Sequence, residues 1–125
     1  MTLEGYNQFC AGLPHTTHVV QWGDAHVWKI GGKVFAIAGW LDGDDLAVTF
    51  KCSQIAFEML KNEPGVRPAP YLASRGMMWL QRTSCETMND AELRQYIQTS
   101  YSLVAEKLPK KIKLELGINP PVPRG

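Results

Sequence analysis

The chain has 125 residues, 45% of them hydrophobic and 20% charged, and its formal net charge is +1. This length fits one globular domain, and a net charge so close to zero excludes a protein that binds nucleic acid with its whole surface. No apolar run approaches the roughly 18 residues of a membrane span, and Glu4, Asn7 and Gln8 stand where a signal peptide would be apolar, so we expect a soluble, cytoplasmic protein.

The first half of the chain is predicted to form a helix followed by an antiparallel sheet. Thr2 can cap a helix over residues 2–13, which Pro14 ends. Four strands are predicted next, over His18–Trp22, Val27–Ile30, Lys33–Trp40 and Leu46–Cys52. Gly31 and Gly32 separate two of these strands. Two glycines between β-rich runs predict a type I′ hairpin, because both central residues need a positive φ.

The second half adds helices, a loop and a last strand. The predicted segments are a helix over 53–62 capped by Ser53, a proline-rich loop over 64–76, and a strand over Met77–Thr83. Asn89 and Glu92 form a capping-box pattern at the start of a long helix, and Lys110–Leu116 is predicted as a short helix after it.

This order of elements predicts an α+β fold, a two-layer sandwich in which helices pack on one face of an antiparallel meander sheet. We expect a single domain over residues 1–116. Residues 117–125, which include three prolines, are expected to form a flexible C-terminal tail.

Several segments of the chain, in their order and spacing, match one known pattern. They are Trp22-Gly23 with the hairpin Lys29–Ala36, Thr49–Cys52, Pro64–Ala73, Trp79, Ser100-Tyr101 and Leu108–Lys111. Together they resemble the MmcQ/YjbR family over residues 2–116. The resemblance implies a frataxin-like α/β sandwich and a DNA-binding role through a double-wing arrangement. It implies neither an enzyme reaction nor a cofactor.

The hairpin and the strand after it predict a ligand-binding face of the sheet. With a two-residue turn, Trp28 lies opposite Phe35, and alternation puts both on one face with Lys33. If Leu46–Cys52 pairs with the hairpin, Lys51 joins this face. Aromatic rings interleaved with lysines are typical of nucleic-acid binding, since rings stack on bases and ammonium groups contact phosphates. The alternative is that Trp28 and Phe35 are ordinary cross-strand packing.

The opposite sheet face is predicted to be small and apolar, which suits helix packing. Its members are Ala36, Ala38, Val48 and Phe50, with Lys29 and Val34 paired near the turn. If the pairing of the Leu46–Cys52 strand is shifted by one residue, the side chains of that strand exchange faces.

Basic residues outside the sheet are further candidates. The loop holds Arg67, Tyr71 and Arg75 in a proline-stiffened segment, and a stiff loop loses little entropy when it docks on a ligand. Lys110 and Lys111 belong to the chain's only lysine cluster and can contact a phosphate backbone. For the loop, the alternative is a rigid connection with Tyr71 turned inward. For the lysine cluster, the alternative is a solvated helix end at which lysines complement the helix dipole.

Other chemistry-bearing residues do not form a recognisable site. The cysteines, Cys10, Cys52 and Cys85, show no CxxC spacing, so we expect neither a disulfide framework nor a zinc site nor a catalytic thiol. The histidines, His15, His18 and His26, lie close in sequence but lack the ligand pairs of a zinc site. The acidic turn Asp42–Asp45 argues against DNA contact near it.

We therefore predict a monomeric, non-enzymatic binding module for DNA, with modest and salt-sensitive affinity, without cofactor or metal. The alternative is a protein- or small-molecule-binding domain that uses the open sheet face. Convergence of Lys33, Lys51, Arg67 and Arg75 on one surface favours DNA. An apolar surface, or one that carries the Asp42–Asp45 acids, favours the alternative.

Overall fold

One helix, four strands, a second helix, two strands and two helices follow one another along the part of the chain that the structure describes. The structure is a computed structural model, and it describes residues 1–21, 23–40, 46–70 and 77–117. The helices are α1 (Leu3–Ala11), α2 (Gln54–Leu60), α3 (Asp90–Glu106) and α4 (Lys110–Glu115). The strands are β1 (Thr16–Gln21), β2 (Ala25–Ile30), β3 (Lys33–Trp40), β4 (Leu46–Lys51), β5 (Val66–Pro68) and β6 (Trp79–Arg82).

The six strands form one open sheet in the order β1-β2-β3-β4-β6-β5. Every neighbouring pair is antiparallel. The predicted α+β class with an antiparallel sheet is therefore confirmed.

Side chains that the sequence marks as caps begin three of the helices. Thr2 Oγ1 accepts a hydrogen bond of 3.0 Å from the amide of Gly5 at the start of α1. Asn89 Oδ1 accepts from the amide of Glu92 at 2.8 Å, and Glu92 Oε1 accepts from the amide of Asn89 at 3.2 Å. This reciprocal pair is the predicted capping box, and it satisfies two backbone donors at the start of α3. Ser53 caps α2 with a single hydrogen bond, which its Oγ accepts from the amide of Ala56 at 3.1 Å.

The hydrophobic core lies between the helices and one face of the sheet. Its helical members include Tyr6, Cys10, Leu93, Ile97 and Val104, and residues of α2 and α4 pack against its edge. Its strand members include Ile30, Ala36, Ala38, Val48, Phe50 and Leu80. The prediction that Ala36, Ala38, Val48 and Phe50 form the helix-packing face is confirmed.

A β-bulge in the hairpin changes the predicted pairing. Gly31 and Gly32 have φ values of 58° and 80°, as the predicted turn requires, and Lys29 lies opposite Val34. Beyond that pair the register shifts, so that Trp28 lies opposite Ala36. The predicted Trp28–Phe35 pair was therefore wrong. Phe35 is the extra residue on β3, and such a residue turns the strand locally.

Strand β5 was missed by the sequence prediction, which assigned residues 64–76 to a loop. Val66–Pro68 pairs with β6 at the edge of the sheet, where Arg67 lies opposite Gln81. A three-residue strand is too short for alternation to reveal it, and Pro68 is tolerated because β5 is an edge strand. Residues 71–76 of the predicted loop lie outside the described residues.

Candidate functional site

The sheet face that turns away from the core, the outer face, carries a polar ladder across three strands. Arg67 on β5 lies opposite Gln81 on β6, which lies opposite Thr49 on β4. Arg67 Nε donates to Gln81 Oε1 at 2.8 Å, and Gln81 Nε2 donates to Thr49 Oγ1 at 3.2 Å. Arg67 is thus the exposed end of a hydrogen-bonded row that lies flat on the sheet.

Some side chains on the outer face expose little of their surface. Val27 exposes 0% of its surface and Thr49 5%. Val19 on β1 and Arg67 on β5, nearer the two edges of the sheet, are exposed. A further accessible region lies at the end of the sheet where β3 starts and β4 ends.

At that end three lysines surround a cleft of about 360 Å³. Lys33 stands at the start of β3, Lys51 at the end of β4, and Lys107 just after the end of α3. We call this the lysine cleft. The start of β3, the end of β4 and the end of α3 meet here, so residues far apart in sequence lie close together.

The walls of the lysine cleft are apolar. They are formed by Val34, Ile37, Met77, Trp79 and Val104. Trp79 lies directly opposite Lys51 on the neighbouring strand. Its indole Nε1 is buried, and no described residue accepts a hydrogen bond from it.

The lysine cleft carries positive charge that no described lining residue neutralises. Among its described lining residues there is no aspartate or glutamate. Within the part of the chain that the structure describes, the ion pairs involve Lys61, Arg82 and the N-terminus, and none involves Lys33, Lys51 or Lys107. The cleft therefore suits a negatively charged group.

Lys110 and Lys111 extend the positive charge beyond the cleft. Both are exposed and lie in the first turn of α4. The positive end of the helix dipole is at that turn, so the dipole does not stabilise these two lysines. The alternative interpretation, that lysines here complement a helix dipole, fits Lys107 at the C-terminal end of α3 and Lys113 in the last turn of α4, whose Nζ donates to the carbonyl oxygen of Glu106 at 2.7 Å.

Trp28 and Phe35 are part of the core and do not form a stacking platform. Trp28 exposes 7%, its ring stacks on His18 at 4.7 Å between centroids, and its Nε1 donates to Asn7 Oδ1 at 3.0 Å. Phe35 is fully buried with its ring edge-on to Tyr101 at 5.3 Å. The bulge turns both side chains towards the helices, so the packing alternative describes them.

Two predicted site residues, Tyr71 and Arg75, lie outside the described residues, as does the acidic turn 41–45. Two residues outside the predicted set of site residues also line the cleft, Lys107 and Trp79. Lys107 belongs to the lysine cluster that the sequence already offers as a phosphate contact. No local signal marks Trp79, because its neighbour Lys51 lies on β4, which precedes β6 in the chain by α2 and β5. Only the β4–β6 pairing brings them together.

The buried cysteines are packed thiols. Burial raises the pKa of Cys10 to about 12 and that of Cys52 to about 11. Both stay protonated at neutral pH, and a thiol needs its thiolate form to act as a nucleophile. Cys85 is exposed.

The histidines His18 and His26 meet across β1 and β2, which their spacing did not reveal. His18 Nε2 lies 2.9 Å from His26 Nδ1, and the two rings are stacked. Within the described ranges, no group of three or more potential metal ligands is assembled. None of the four described helices has the length and apolar character needed to cross a membrane.

Comparison with known proteins identifies the fold and the family. A Deinococcus radiodurans crystal structure with a DUF419 domain matches 99% of this chain and 94% of its own at 23% identity and a TM-score of 0.81. A Pseudomonas syringae protein structure matches 83% of this chain and 99% of its own at 17% identity and a TM-score of 0.68. These likenesses show the fold alone, and no curated protein matches. The YjbR family model matches residues 11–103, from the end of α1 to the last turns of α3, so the chain belongs to the YjbR family.

Proposed function

We propose that this protein is a non-enzymatic module that binds duplex DNA through its phosphate backbone. The observation that supports this most is the convergence of Lys33, Lys51 and Lys107 on one cleft whose described lining carries no acid. Lys110 and Lys111 add two exposed positive charges on the next helix.

The type of residue favours backbone contact over base recognition. Lysine presents a compact positive charge, which attracts a phosphate without reading sequence. Trp28 and Phe35 are buried, so they offer no ring on which an unpaired base stacks. We therefore expect a preference for duplex over single strands and little sequence selectivity.

Arg67 is a marginal part of the proposed interface. It lies on the outer face at the sheet edge, and its Nε is already engaged by Gln81. With a spacing of about 4.8 Å between strands, Arg67 stands roughly 10 Å from Thr49, two strands away. On a DNA backbone that extends from α4 towards β5, Arg67 would be the contact farthest from α4.

A salt titration tests the proposal. Binding to a fluorescent duplex of random sequence is measured by anisotropy from roughly 50 to 300 mM salt, and log K should fall linearly with log salt. Contacts from all five lysines set the steepest slope at about −4.5, since each phosphate contact contributes about −0.9. No binding at roughly 50 mM salt, or binding independent of salt, contradicts the proposal.

A further inference from the structure

We propose that the lysine cleft is a binding site for a small organic anion with an apolar body, an acyl or aromatic carboxylate, sulfonate or phosphate. This inference does not rest on DNA binding, because the ligand fills the interior of the cleft. A DNA backbone would contact only the lysines at the rim.

The shape and lining of the cleft support a small ligand. A volume of about 360 Å³ lies within the range of small-molecule sites, roughly 300–1,000 Å³. Such sites combine mostly apolar walls with a few polar groups that orient the ligand. The walls here are aliphatic, thioether and indole side chains, and Val34, Ile37 and Met77 offer apolar surface that a phosphate backbone would leave uncovered.

The three lysines favour a ligand with negative charge. Lys33, Lys51 and Lys107 come from three different elements and surround the same apolar walls. With no acidic side chain in the described lining, a neutral ligand leaves this charge unbalanced and a cation is repelled. An anionic group near the lysines, with the apolar body against the walls, satisfies both parts of the cleft.

Trp79 contributes a flat aromatic part of the wall. It lines the cleft and is more than nine-tenths buried. Its Nε1 is itself shielded from solvent, so the indole offers apolar surface to a ligand and no hydrogen bond.

A buried side chain links the elements that frame the cleft. The Ser100 hydroxyl on α3 bonds to backbone groups of both β3 and β4. Val104 follows Ser100 by one helical turn and lines the cleft. A site of this kind loses little entropy on binding, which favours affinity for a small ligand.

The test uses a pair of fluorescent probes that differ in charge. Anilinonaphthalene sulfonate carries the anion and an aromatic body, and N-phenyl-1-naphthylamine has a similar body without the charge. Fluorescence titration of the full chain should show saturable one-to-one binding of the sulfonate and much weaker binding of the neutral compound. Displacement by octanoate, benzoate and phenyl phosphate then ranks acyl against aromatic bodies, and octanol serves as the uncharged control.

Two variants and a control locate the site. Lys33→Gln combined with Lys107→Gln should weaken sulfonate binding about tenfold, since each exposed ion pair is worth about threefold. Ile37→Trp should abolish binding by filling the cleft while it leaves the three lysines in place. Lys110→Gln removes an exposed lysine outside the cleft and should leave sulfonate binding unchanged.

Each result decides for or against the site. Loss of binding in the lysine variant with retention in Lys110→Gln supports it. Equal binding of the two probes, unchanged binding in the lysine variant, or no binding of the sulfonate overturns it. If Ile37→Trp does not fold, the lysine variant still decides, because Lys33 and Lys107 are exposed. A protein that fails the DNA titration and passes this one retains the site.

Discussion

The hydroxyl of Ser100 on α3 donates a hydrogen bond of 2.6 Å to the carbonyl oxygen of Phe35 on β3. The hydroxyl oxygen of Ser100 also accepts a bond of 2.8 Å from the backbone amide of Lys51 on β4. Phe35 is the bulge residue, so its carbonyl has lost its regular place in the ladder. One buried side chain therefore satisfies backbone groups of the two strands that carry Lys33 and Lys51.

Replacing Ser100 by alanine should lower the free energy of unfolding by about 2–3 kcal/mol, because two backbone groups lose their partner and an unsatisfied buried group costs about 1–3 kcal/mol. Ser102→Ala is the matched control. Ser102 is exposed on the same helix, and surface substitutions usually stay within about 0.5 kcal/mol. Urea denaturation measures both. Equal stability of the two variants would show that the Ser100 bridge contributes nothing.

The two glycines of the hairpin turn should differ in their tolerance of alanine. Both have positive φ, which costs an L-residue about 1–2 kcal/mol. A Cβ on Gly31 would also stand 2.8 and 2.9 Å from the methyls of Leu108 and 3.0 Å from Ile112, whereas a Cβ on Gly32 meets nothing within 4 Å.

Because Leu108 is itself buried, it cannot move without disturbing the core. Gly31→Ala should therefore be less stable than Gly32→Ala by about 1 kcal/mol or more, the usual cost of overpacking. Thermal unfolding followed by circular dichroism compares them. The reverse order of melting temperatures would contradict the packing of α4 against the hairpin.

Acid should destabilise the fold through His18. Burial lowers the pKa of His18, and the neighbouring His26 lowers it further. The unfolded chain, with a histidine pKa of about 6.5, then binds more protons than the folded chain between the two values. Stability therefore falls as the pH drops below about 6.5 and levels off below the folded pKa.

The groups that face His18 are His26 at 2.9 Å and the ring of Trp28. His18→Gln should flatten the part of the pH–stability curve that His18 causes. His15→Asn is the control, because asparagine tolerates the positive φ of that position. Denaturant unfolding from pH 5 to 8 makes the comparison, and identical curves for the wild type and His18→Gln would rule out His18 as the cause.

The features predicted correctly from the sequence depend on neighbouring residues. The turn at Gly31-Gly32 and the capping box at Asn89 and Glu92 are set by local conformation and short-range hydrogen bonds. The helix-packing face also follows from alternation once β3 and β4 are paired. The turn and the capping box could be predicted because each is complete within a few residues, and the helix-packing face because its two strands follow one another in the chain.

The site could be predicted only in part, because distant pairings assemble it. Because of a single bulge residue, Trp28 and Phe35 lie on the opposite face of the sheet from the predicted one. No residue type in the hairpin indicates that a bulge is present. Lys33 and Lys51 were predicted as site residues. The cleft between them also needs β6 beside β4 and the end of α3 near β3, which no local pattern encodes.

DNA binding should depend on two lysines that the small-anion site does not use, in addition to the three in the cleft. Lys110→Gln combined with Lys111→Gln removes two exposed charges from α4, outside the cleft. If both lysines bind phosphates, the salt dependence of log K should become shallower by about 2, roughly one for each lysine that is replaced. The measurement is the anisotropy titration against duplex DNA across the same salt range.

The control for this variant removes two positive charges elsewhere, Arg94→Gln with Lys61→Gln. Arg94 lies about 20 Å from Lys107 along α3, at about 1.5 Å per residue, and Lys61 pairs with Glu58 at 2.7 Å. This variant has the same net charge as the lysine variant, so a general charge effect would change both slopes equally. A shallower slope only in the Lys110 and Lys111 variant places the DNA backbone along α4. Equal slopes in the two variants would mean that net charge alone governs binding and that α4 is no part of the interface.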